Sequence, residues 1–308
     1  MSASPARAAT AAAISYHDVL SDDGTRLRAW TNQPEGAAQG PADGPVVLLC
    51  NGLGTSPFAW PALLRPDCGV RVISWNHRGT GGSDRPRDPH RVGVEQHVED
   101  ALSVLDHFGV DRAVLTGWSI GVNTMFELAV RHPERALALF AVAGVPGDTF
   151  SSMLAPLRVP RFAARALTVG LSRSLSVVGG ALSPITSRLP VGPRTIDLLT
   201  RTGFMFPLAD PELAAVAVTE FLTTPVEWYA HLALHASRHA RISLSAVTLP
   251  TVFVAGTFDL MAGARDMASA AARIERATYV ELWGSHFIQM EQPDRVHALL
   301  LDLVRRVT

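Results

Sequence analysis

The octapeptide TGWSIGVN, residues 116–123, places Ser119 between two glycines directly after an apolar run. A serine hydroxyl barely ionises at neutral pH, so it becomes a nucleophile only beside a general base. Flanking glycines permit the sharp strand-to-helix turn that lifts such a hydroxyl out of a sheet. The Gly-x-Ser-x-Gly pattern is short enough to arise by chance, so its interpretation depends on the surrounding elements.

A histidine and an acidic residue follow the last two predicted strands. His286 lies after the strand ATYVELW, and Asp259 lies after the strand TVFVAG. Loops at the carboxyl ends of parallel strands open on one edge of the sheet, which is also the edge of Ser119. We expect His286 to be the base and Asp259 to hold its tautomer and stabilise the imidazolium. Asp148 is the alternative acid, and Asp266 is interpreted as a solvated helix residue.

Short apolar runs alternate with helical stretches along the chain. A hairpin with its turn at Asp22 to Gly24 opens the pattern. Continuous apolar runs are typical of parallel strands covered on both faces, and the alternation predicts an α/β fold with a mostly parallel central sheet flanked by helices. The predicted strands are 46–50, 70–75, 113–117, 137–144, 251–256 and 277–283, with helices at 94–109 and 120–133.

The alternation stops between residues 147 and 248, where the sequence contains helical segments and no convincing strand. We therefore expect an α/β core of residues 1–146 and 249–308, with residues 147–248 inserted as a helical cap, or lid, over the carboxyl edge of the sheet. Part of the cap's large apolar residues should line an apolar pocket. These residues are Phe150, Met153, Leu154, Phe204, Met205, Phe206 and Trp228.

Composition excludes several classes of protein. The net charge is −1, so no basic field marks a nucleic-acid binder. The two cysteines, Cys50 and Cys68, form no disulfide framework and no metal-ligand cluster. The N-terminal stretch lacks the apolar segment of a signal peptide, and no uninterrupted apolar run reaches the roughly 20 residues of a membrane span. We expect a cytoplasmic protein without stable membrane insertion, and the oligomeric state stays open.

Four residues recur at four-residue spacing in one cap helix: Glu227, His231, His235 and His239. Adjacent members share a helix face, which would let them bind one metal ion. A four-residue step drifts about 40° on a helix of 3.6 residues per turn, so the full row cannot converge on one ion. We interpret the row as a partly solvated face and expect no metal and no organic cofactor.

Three motifs together, G-W-S-I-G, GTFD and GSHF, resemble the α/β-hydrolase superfamily in its cap-bearing esterase and lipase-like branch. The likeness covers about residues 40–146 and 249–304, plus the opening hairpin. It implies an α/β-hydrolase fold with a Ser-Asp-His triad. It also implies an oxyanion hole formed by the backbone N–H groups of Leu53, in CNGLGTSPFAW, and Ile120.

The sequence departs from this family at three positions. Asn51 replaces the family's histidine before the oxyanion glycine, and Asn76 replaces its aspartate before the arginine turn. Asparagine can still hydrogen-bond a loop backbone, so we expect the hole to persist. Val122 stands where many relatives have a second glycine, which predicts looser packing of helix on strand.

We expect four residues to contact the substrate: Asn51, Gly52, Trp118 and Phe287. The predicted function is a serine hydrolase, a carboxylesterase or lipase-like enzyme, acting on a small-molecule ester with an apolar acyl or alcohol part. A cofactor-free haloperoxidase or perhydrolase, an acyltransferase or a carbon–carbon bond hydrolase would use the same triad. An epoxide hydrolase or dehalogenase with an aspartate nucleophile is disfavoured because the residue at the nucleophile position of the turn is a serine. A hydrolase-fold ligand-binding protein is the alternative from a different class.

Overall fold

A computed structural model describes residues 14–33 and 45–308. Residues 1–13, which make up most of the N-terminal stretch where the sequence predicts no signal peptide, lie outside the described residues. Within the described ranges, eight strands form one sheet in the order β1-β2-β4-β3-β5-β6-β7-β8. The strands β1 and β2 form the expected antiparallel hairpin, and β2 also runs antiparallel to β4. All remaining neighbours are parallel. The strands are β1 (Ser15–Leu20), β2 (Arg26–Thr31), β3 (Val46–Cys50), β4 (Arg71–Trp75), β5 (Ala113–Trp118), β6 (Ala136–Val142), β7 (Thr251–Gly256) and β8 (Ala277–Leu282).

The central strands are buried on both faces. In β3, Val47 and Leu49 pack into one hydrophobic cluster, and Leu48 and Cys50 pack into another on the opposite face. Successive side chains of a strand point to opposite faces, so a strand covered on both sides requires apolar residues at nearly every position. The continuous apolar runs therefore become the middle of the sheet, and the predicted α/β fold class is confirmed.

Helices cover both faces of this sheet. One face is packed by α1, α2 and α8, and the other by α10 together with short 3-10 turns after β3. The helices are α1 (Val94–His107), α2 (Gly121–Arg131), α3 (Thr149–Ser152), α4 (Arg161–Thr186), α5 (Pro193–Arg201), α6 (Pro211–Leu222), α7 (Val226–Ala236), α8 (Ala264–Ala271), α9 (Ile288–Glu291) and α10 (Pro293–Arg305).

The segment between β6 and β7 contains the helices α3 to α7 and no strand, and all of it is described. The helix α4 packs along α7, and α5 packs along α6. These helices and their connections make up residues 147–248, the segment expected to form the cap, and the name cap is kept for this segment. The proposed boundary of the cap lies in the loops that come after β6 and before β7.

The helix α4 differs from the other helices in its exposure. Its 26 residues include an 18-residue window with mean hydropathy 1.2, of which 6% is buried. By length and composition, it is the one helix of the described residues that could cross a membrane. The sequence contains no uninterrupted apolar run that would predict a membrane-spanning helix here, because serine, threonine and glycine interrupt the apolar residues. Its exposed apolar side chains are Phe162, Leu167, Leu171, Val177, Val178, Leu182 and Ile185.

A buried ion pair anchors the turn after β4. The Arg78 side chain is fully buried, and its Nη2 donates to Asp100 at 2.7 Å and to the Ser21 hydroxyl at 2.9 Å. Its Nη1 donates to Asp23 at 2.6 Å. Burial alone would lower the pKa of Arg78, but the hydrogen bonds and charge of Asp100 raise it, so the guanidinium stays charged. The pair joins the turn, α1 and the opening hairpin.

Two buried histidines lie beside this ion pair. The rings of His77 and His97 contact edge to face with centroids 4.6 Å apart. Burial lowers the pKa of His77 to about 4, and burial together with the nearby His77 lowers the pKa of His97 well below its usual value. Both rings are therefore neutral at pH 7 and form part of the structural framework.

Candidate active site

Ser119 lies at the turn between β5, which ends at Trp118, and α2, which begins at Gly121. Its φ of 56° is in the left-handed region. Such a conformation costs a non-glycine residue about 1–3 kcal/mol and persists only where the surrounding structure imposes it. The turn presents Ser119 in front of the N-terminus of α2, whose partial positive charge favours an anion there.

Glycine is required on both sides of this turn by the close approach of other backbone atoms. A Cβ on Gly117 would lie 2.7 Å from the Cα of Val122, and a Cβ on Gly121 would overlap the carbonyl oxygen of Cys50. The expectation that Val122 loosens the packing is wrong. Its side chain fits against Gly144, where a Cβ would lie 2.5 Å from the Val122 Cγ2 atom.

His286 and Asp259 form a buried pair. The His286 Nδ1 atom lies 2.9 and 3.0 Å from the two carboxylate oxygens of Asp259. The backbone amides of Met261 and Ala262 also donate to Asp259 Oδ1, at 2.7 and 2.8 Å, and hold the carboxylate in place. A proton on Nδ1, donated to Asp259, leaves Nε2 as the basic nitrogen of the ring.

Asp148, the alternative acid, lies in a different environment. Its carboxylate pairs with Arg161 at 3.2 Å, Arg165 at 3.3 Å and Arg241 at 3.6 Å. Asp266 also pairs with Arg161. The structure therefore joins His286 to Asp259 and uses Asp148 to tie the cap helix α4 to neighbouring segments.

Trp118 connects the serine turn with the histidine loop. Its Nε1 donates to the carbonyl oxygen of His286 at 3.0 Å. Its ring also lies under Gly52, where a Cβ would lie 2.9 Å from the Trp118 Cε3 atom. The indole thus sets the spacing between three loops, and Phe287 packs edge to face against it.

The two amides expected in the oxyanion hole are available. Leu53 and Ile120 are buried in one hydrophobic cluster, yet among the described residues neither backbone N–H donates a hydrogen bond. A buried donor without a partner is costly, so unpaired amides at such a position are poised for a ligand. An oxyanion is the ligand that two such donors would stabilise best.

Ser119 and His286 open into one cavity of about 240 Å³ between the core and the cap. Gly52, Leu53, Trp118 and Phe287 form its core side. No side chain that lines it from the cap carries a charge. The cap side consists of Leu199, Phe204, Met205, Ala217, Val218, Phe221, Leu222 and Tyr229.

Comparison with known proteins identifies the fold that carries this site. The family described as the alpha/beta hydrolase fold matches residues 45–170. Epoxide hydrolase A of Mycobacterium tuberculosis is 26% identical over 93% of this chain and 96% of its own length. An enol-lactonase from Burkholderia xenovorans superimposes with a TM-score of 0.68 at 23% identity, covering 94% of this chain and all of its own. A thermophilic esterase from Thermogutta terrifontis superimposes with a TM-score of 0.67 at 20% identity, over 95% of this chain and 99% of its own.

This chain is an α/β-hydrolase-fold protein. The family match and the structural neighbours show this fold, and Epoxide hydrolase A, which is matched over nearly its whole length, is a hydrolase. These comparisons support hydrolase activity in general, and the chemistry of the site bears on which bond is cleaved.

Asn51 is buried at 2% exposure and is not among the residues that line the cavity, so the structure gives no support to its expected contact with the substrate. Its side chain is instead hydrogen-bonded within the loop that carries Leu53, one of the two residues whose amides are expected to form the oxyanion hole. Its Oδ1 accepts from the Gly52 amide at 3.0 Å and from Trp60 Nε1 at 3.1 Å, while its Nδ2 donates to the Ser56 carbonyl at 3.2 Å. The asparagine therefore holds the conformation of the loop that carries Leu53.

Asn76 has a comparable role in the turn after β4. Its Nδ2 donates to the Gly81 carbonyl at 2.7 Å, and its backbone carbonyl accepts from the Ser83 hydroxyl at 2.7 Å. Gly81 has a φ of 53°, and a Cβ there would overlap the asparagine side chain. The replacement of aspartate thus keeps the turn closed.

Only some of the apolar residues predicted to line the pocket do so in the structure. Phe204 and Met205 line the cavity. Phe206 instead packs against Phe258 and Trp283, and Trp228 donates to the Arg78 carbonyl at 3.0 Å. The α6 residues that line the cavity were not predicted from the sequence, because their spacing equals that of a helix packed on a core.

Proposed function

We propose that this α/β-hydrolase cleaves carboxylic esters with an apolar acyl or alcohol part through an acyl-enzyme. Ser119 is the proposed nucleophile, His286 the general base and acid, and Asp259 the residue that orients His286. The observation that carries this proposal is the buried pairing of His286 with Asp259 on the cavity that Ser119 enters.

In the first half of the reaction, Ser119 Oγ attacks the ester carbonyl carbon while His286 Nε2 takes the hydroxyl proton. The carbonyl oxygen becomes an oxyanion, which the amides of Leu53 and Ile120 stabilise. The intermediate collapses as the carbon–oxygen bond to the alcohol breaks, and His286 returns the proton to the leaving alcohol. Ser119 then carries the acyl group.

In the second half, water enters the site and donates a proton to His286 as its oxygen attacks the acyl carbon. The same amides stabilise the second oxyanion. Collapse breaks the bond to Ser119 Oγ, His286 reprotonates that oxygen, and the carboxylic acid leaves. Each step balances with the chain's own groups and water, so the proposed reaction needs no metal or organic cofactor.

The composition of the cavity supports an apolar substrate. Its cap side consists of aliphatic, aromatic and methionine side chains, with the Tyr229 hydroxyl as the one polar side-chain group. Burial of apolar substrate surface there is favourable, whereas a charged substrate would lose its hydration without a partner. A cavity of about 240 Å³ suits a short or medium acyl chain.

The likeness to an epoxide hydrolase raises the alternative that this site opens an epoxide instead of cleaving an ester. Opening an epoxide by forming an ester intermediate requires a carboxylate nucleophile at the serine position. Ser119 occupies that position, and the carboxylate of Asp259 is engaged by His286 and two amides. The available nucleophile therefore favours acyl transfer to a serine hydroxyl over attack on an epoxide carbon.

The test is hydrolysis of p-nitrophenyl esters, from acetate to laurate, by the wild type and by Ser119→Ala. We expect turnover by the wild type and a loss of kcat of at least about 10⁴-fold in the variant. Ser174→Ala, which removes an exposed hydroxyl from α4, is the matched control and should keep full activity.

A fluorophosphonate probe provides an independent readout, because it labels an activated serine whatever the natural substrate is. Labelling that is present in the wild type and absent in Ser119→Ala, without turnover of any ester, would support the nucleophile and refute ester hydrolysis. Absence of both labelling and turnover would favour a ligand-binding protein.

A further inference from the structure

Three histidines meet where the cap contacts the core. His231 and His235 lie one turn apart on α7, and His90 lies in the core loop that precedes α1. One ring nitrogen from each of the three lies within 4.8 Å of the others. The ring centroids of His231 and His235 are 4.6 Å apart, and those of His90 and His235 are 5.5 Å apart.

We propose that His90, His231 and His235, together called the histidine cluster, form a binding site for one Zn²⁺ ion. The ion would join the cap helix α7 to the core. The site is separate from the residues of the proposed ester hydrolysis and does not depend on that reaction.

The spacing of one nitrogen pair in the histidine cluster is close to that of tetrahedral zinc. His90 Nδ1 and His235 Nε2 lie 3.5 Å apart. Two nitrogens bound to one zinc ion at about 2.0–2.1 Å in tetrahedral geometry are separated by about 3.3 Å. Only a small side-chain movement would therefore bring both nitrogens to bonding distance, and the fourth coordination position is left for water.

The third ring is held in a form that can bind a metal. His231 Nε2 lies 2.7 Å from the carbonyl oxygen of Pro89, which can only accept, so the proton of this ring is on Nε2. The other nitrogen, Nδ1, then carries a free lone pair. Histidine ligands typically donate their second nitrogen to a backbone carbonyl in this way, which fixes the tautomer and the ring orientation.

Both sides of the histidine cluster are held before any ion binds. In the loop, the His90 amide donates to Asp88 Oδ1 at 2.9 Å, and Arg91 pairs with Asp22 and Glu99 at 2.9 and 3.0 Å. On α7, the ring of His231 stacks on Trp228 with centroids 5.0 Å apart. Prior ordering of the ligands reduces the entropy that metal binding would otherwise cost.

The donor atoms select the class of ion. Three imidazole nitrogens favour zinc and its neighbours among the transition metals, whereas Mg²⁺ and Ca²⁺ prefer oxygen ligands. Two side chains of opposite charge act on His235, the Arg238 cation with the larger influence and the Asp88 carboxylate with the smaller. The other two residues of the four-residue row are engaged elsewhere, Glu227 with Ser183 and His239 beside Glu127.

Binding would have a structural consequence for the cap. The helix α7 also carries Tyr229, which lines the cavity, and it packs along α4. An ion shared between α7 and the loop at His90 would therefore restrain the cap against the core. The three ligands come from segments about 140 residues apart, so the ion stabilises only the assembled arrangement.

The experiment uses the full chain without a polyhistidine tag, freed of metal by a chelator and titrated with Zn²⁺ alone. Calorimetry should give one ion per chain, and saturation at about 100 times the Kd should raise the Tm by about 5 °C. Titration with Mg²⁺ should give neither signal. Co²⁺ in place of Zn²⁺ should produce the strong visible absorption of a tetrahedral site.

Two variants and one control test the ligand assignment. His90→Ala alters an exposed loop residue and His235→Ala keeps a good helix former, so both should fold, as checked by circular dichroism. Each should weaken Zn²⁺ binding at least about 100-fold, while the exposed-residue control His107→Ala should bind as the wild type does. Equal binding by wild type and His90→Ala, or no stoichiometric binding by the wild type, would overturn the proposal. Either result leaves ester hydrolysis untouched.

Discussion

The loops that carry the proposed catalytic residues differ in kind from the cap helices across the cavity. In the loops, polar groups have fixed partners: Asp259 receives His286 and two amides, and Trp118 Nε1 is bonded to the His286 carbonyl. Across the cavity, α6 contributes mainly aliphatic and aromatic side chains. On the outside of the cap, α4 exposes most of its apolar residues.

This difference reflects what each region has to do. Proton transfer and oxyanion stabilisation are directional and fail when atoms are displaced by a fraction of an ångström, so their side chains must be locked. Apolar contact is non-directional and tolerates changes of shape. We therefore expect core substitutions to reduce kcat or stability, and cap substitutions to alter the choice of substrate.

The largest effect is expected at the triad carboxylate. Asp259→Asn keeps the shape of the side chain but removes the charge that stabilises the His286 imidazolium and selects its tautomer. By analogy with other triads, kcat for the best p-nitrophenyl ester should fall about 10⁴-fold. Thermal unfolding should show a folded protein. Asp148→Asn, at the acid that pairs with arginines, is the matched control, and an equal loss of kcat there would contradict the assignment.

The next effect is expected at the buried ion pair of the core. Asp100→Asn leaves the fully buried guanidinium of Arg78 with Asp23 as its main remaining counter-charge. Removing one partner of a buried pair typically costs about 3–5 kcal/mol, and the remaining carboxylate should keep the loss near about 3 kcal/mol. Denaturant unfolding measures this loss.

The exposed ion pair of Asp302 with Arg306 provides the comparison for that measurement. Asp302→Asn should change the free energy of unfolding by less than about 0.5 kcal/mol. Similar losses in both variants would mean that burial of the Arg78 pair has no special weight in the core.

A smaller effect on the free energy of unfolding is expected when the pH is lowered. Burial holds His77 neutral and lowers its pKa to about 4, whereas in the unfolded chain its pKa has the ordinary value of 6.5. The unfolded state therefore binds more protons between these values, and stability is lost as the pH falls below about 6.5. From His77 alone, unfolding free energy should drop by about 2 kcal/mol between pH 7.5 and 5. His77→Phe, which removes this ring, should flatten the profile, and an unchanged slope would refute this origin.

The smallest effect is expected in the cap. Phe221→Ala enlarges the cavity beside Tyr229, so the ratio of kcat/KM between long and short acyl chains should rise about tenfold with little change for the short ester. Leu171→Ala removes an exposed apolar side chain of α4 outside the cavity and serves as control. If both variants changed the chain-length profile equally, the cavity wall would not be the origin of the selectivity.

Much of the core could be predicted from local sequence. A strand buried on both faces must be apolar throughout, so β3, β5 and β7 could be recognised from five or six residues each. Ser119 was recognisable because its glycines are required by local backbone crowding. His286 and Asp259 could be assigned because the polarity of a parallel sheet brings the ends of its strands to one edge.

The sequence expectations failed where the contacts of a side chain follow no motif or where a neighbouring residue compensates for a substitution. Asn51 was assigned to the substrate, but its hydrogen bonds with the amide and carbonyl groups of its own loop and with Trp60 are not encoded in any motif. Val122 was expected to loosen the turn, and Gly144 after the next strand provides the missing space. The α6 residues of the cavity could not be separated from ordinary core residues, because both repeat at helical spacing.

The sequence by itself determined the order of strands and helices along the chain and the position of the serine turn. It also determined the edge of the sheet on which the triad candidates lie. All three depend on local patterns and chain direction. Only the tertiary structure decided which cap side chains enclose the cavity and that His90 joins His231 and His235. Those contacts depend on how separate helices and loops pack together, and side-chain packing is set by shape in three dimensions rather than by spacing along the chain.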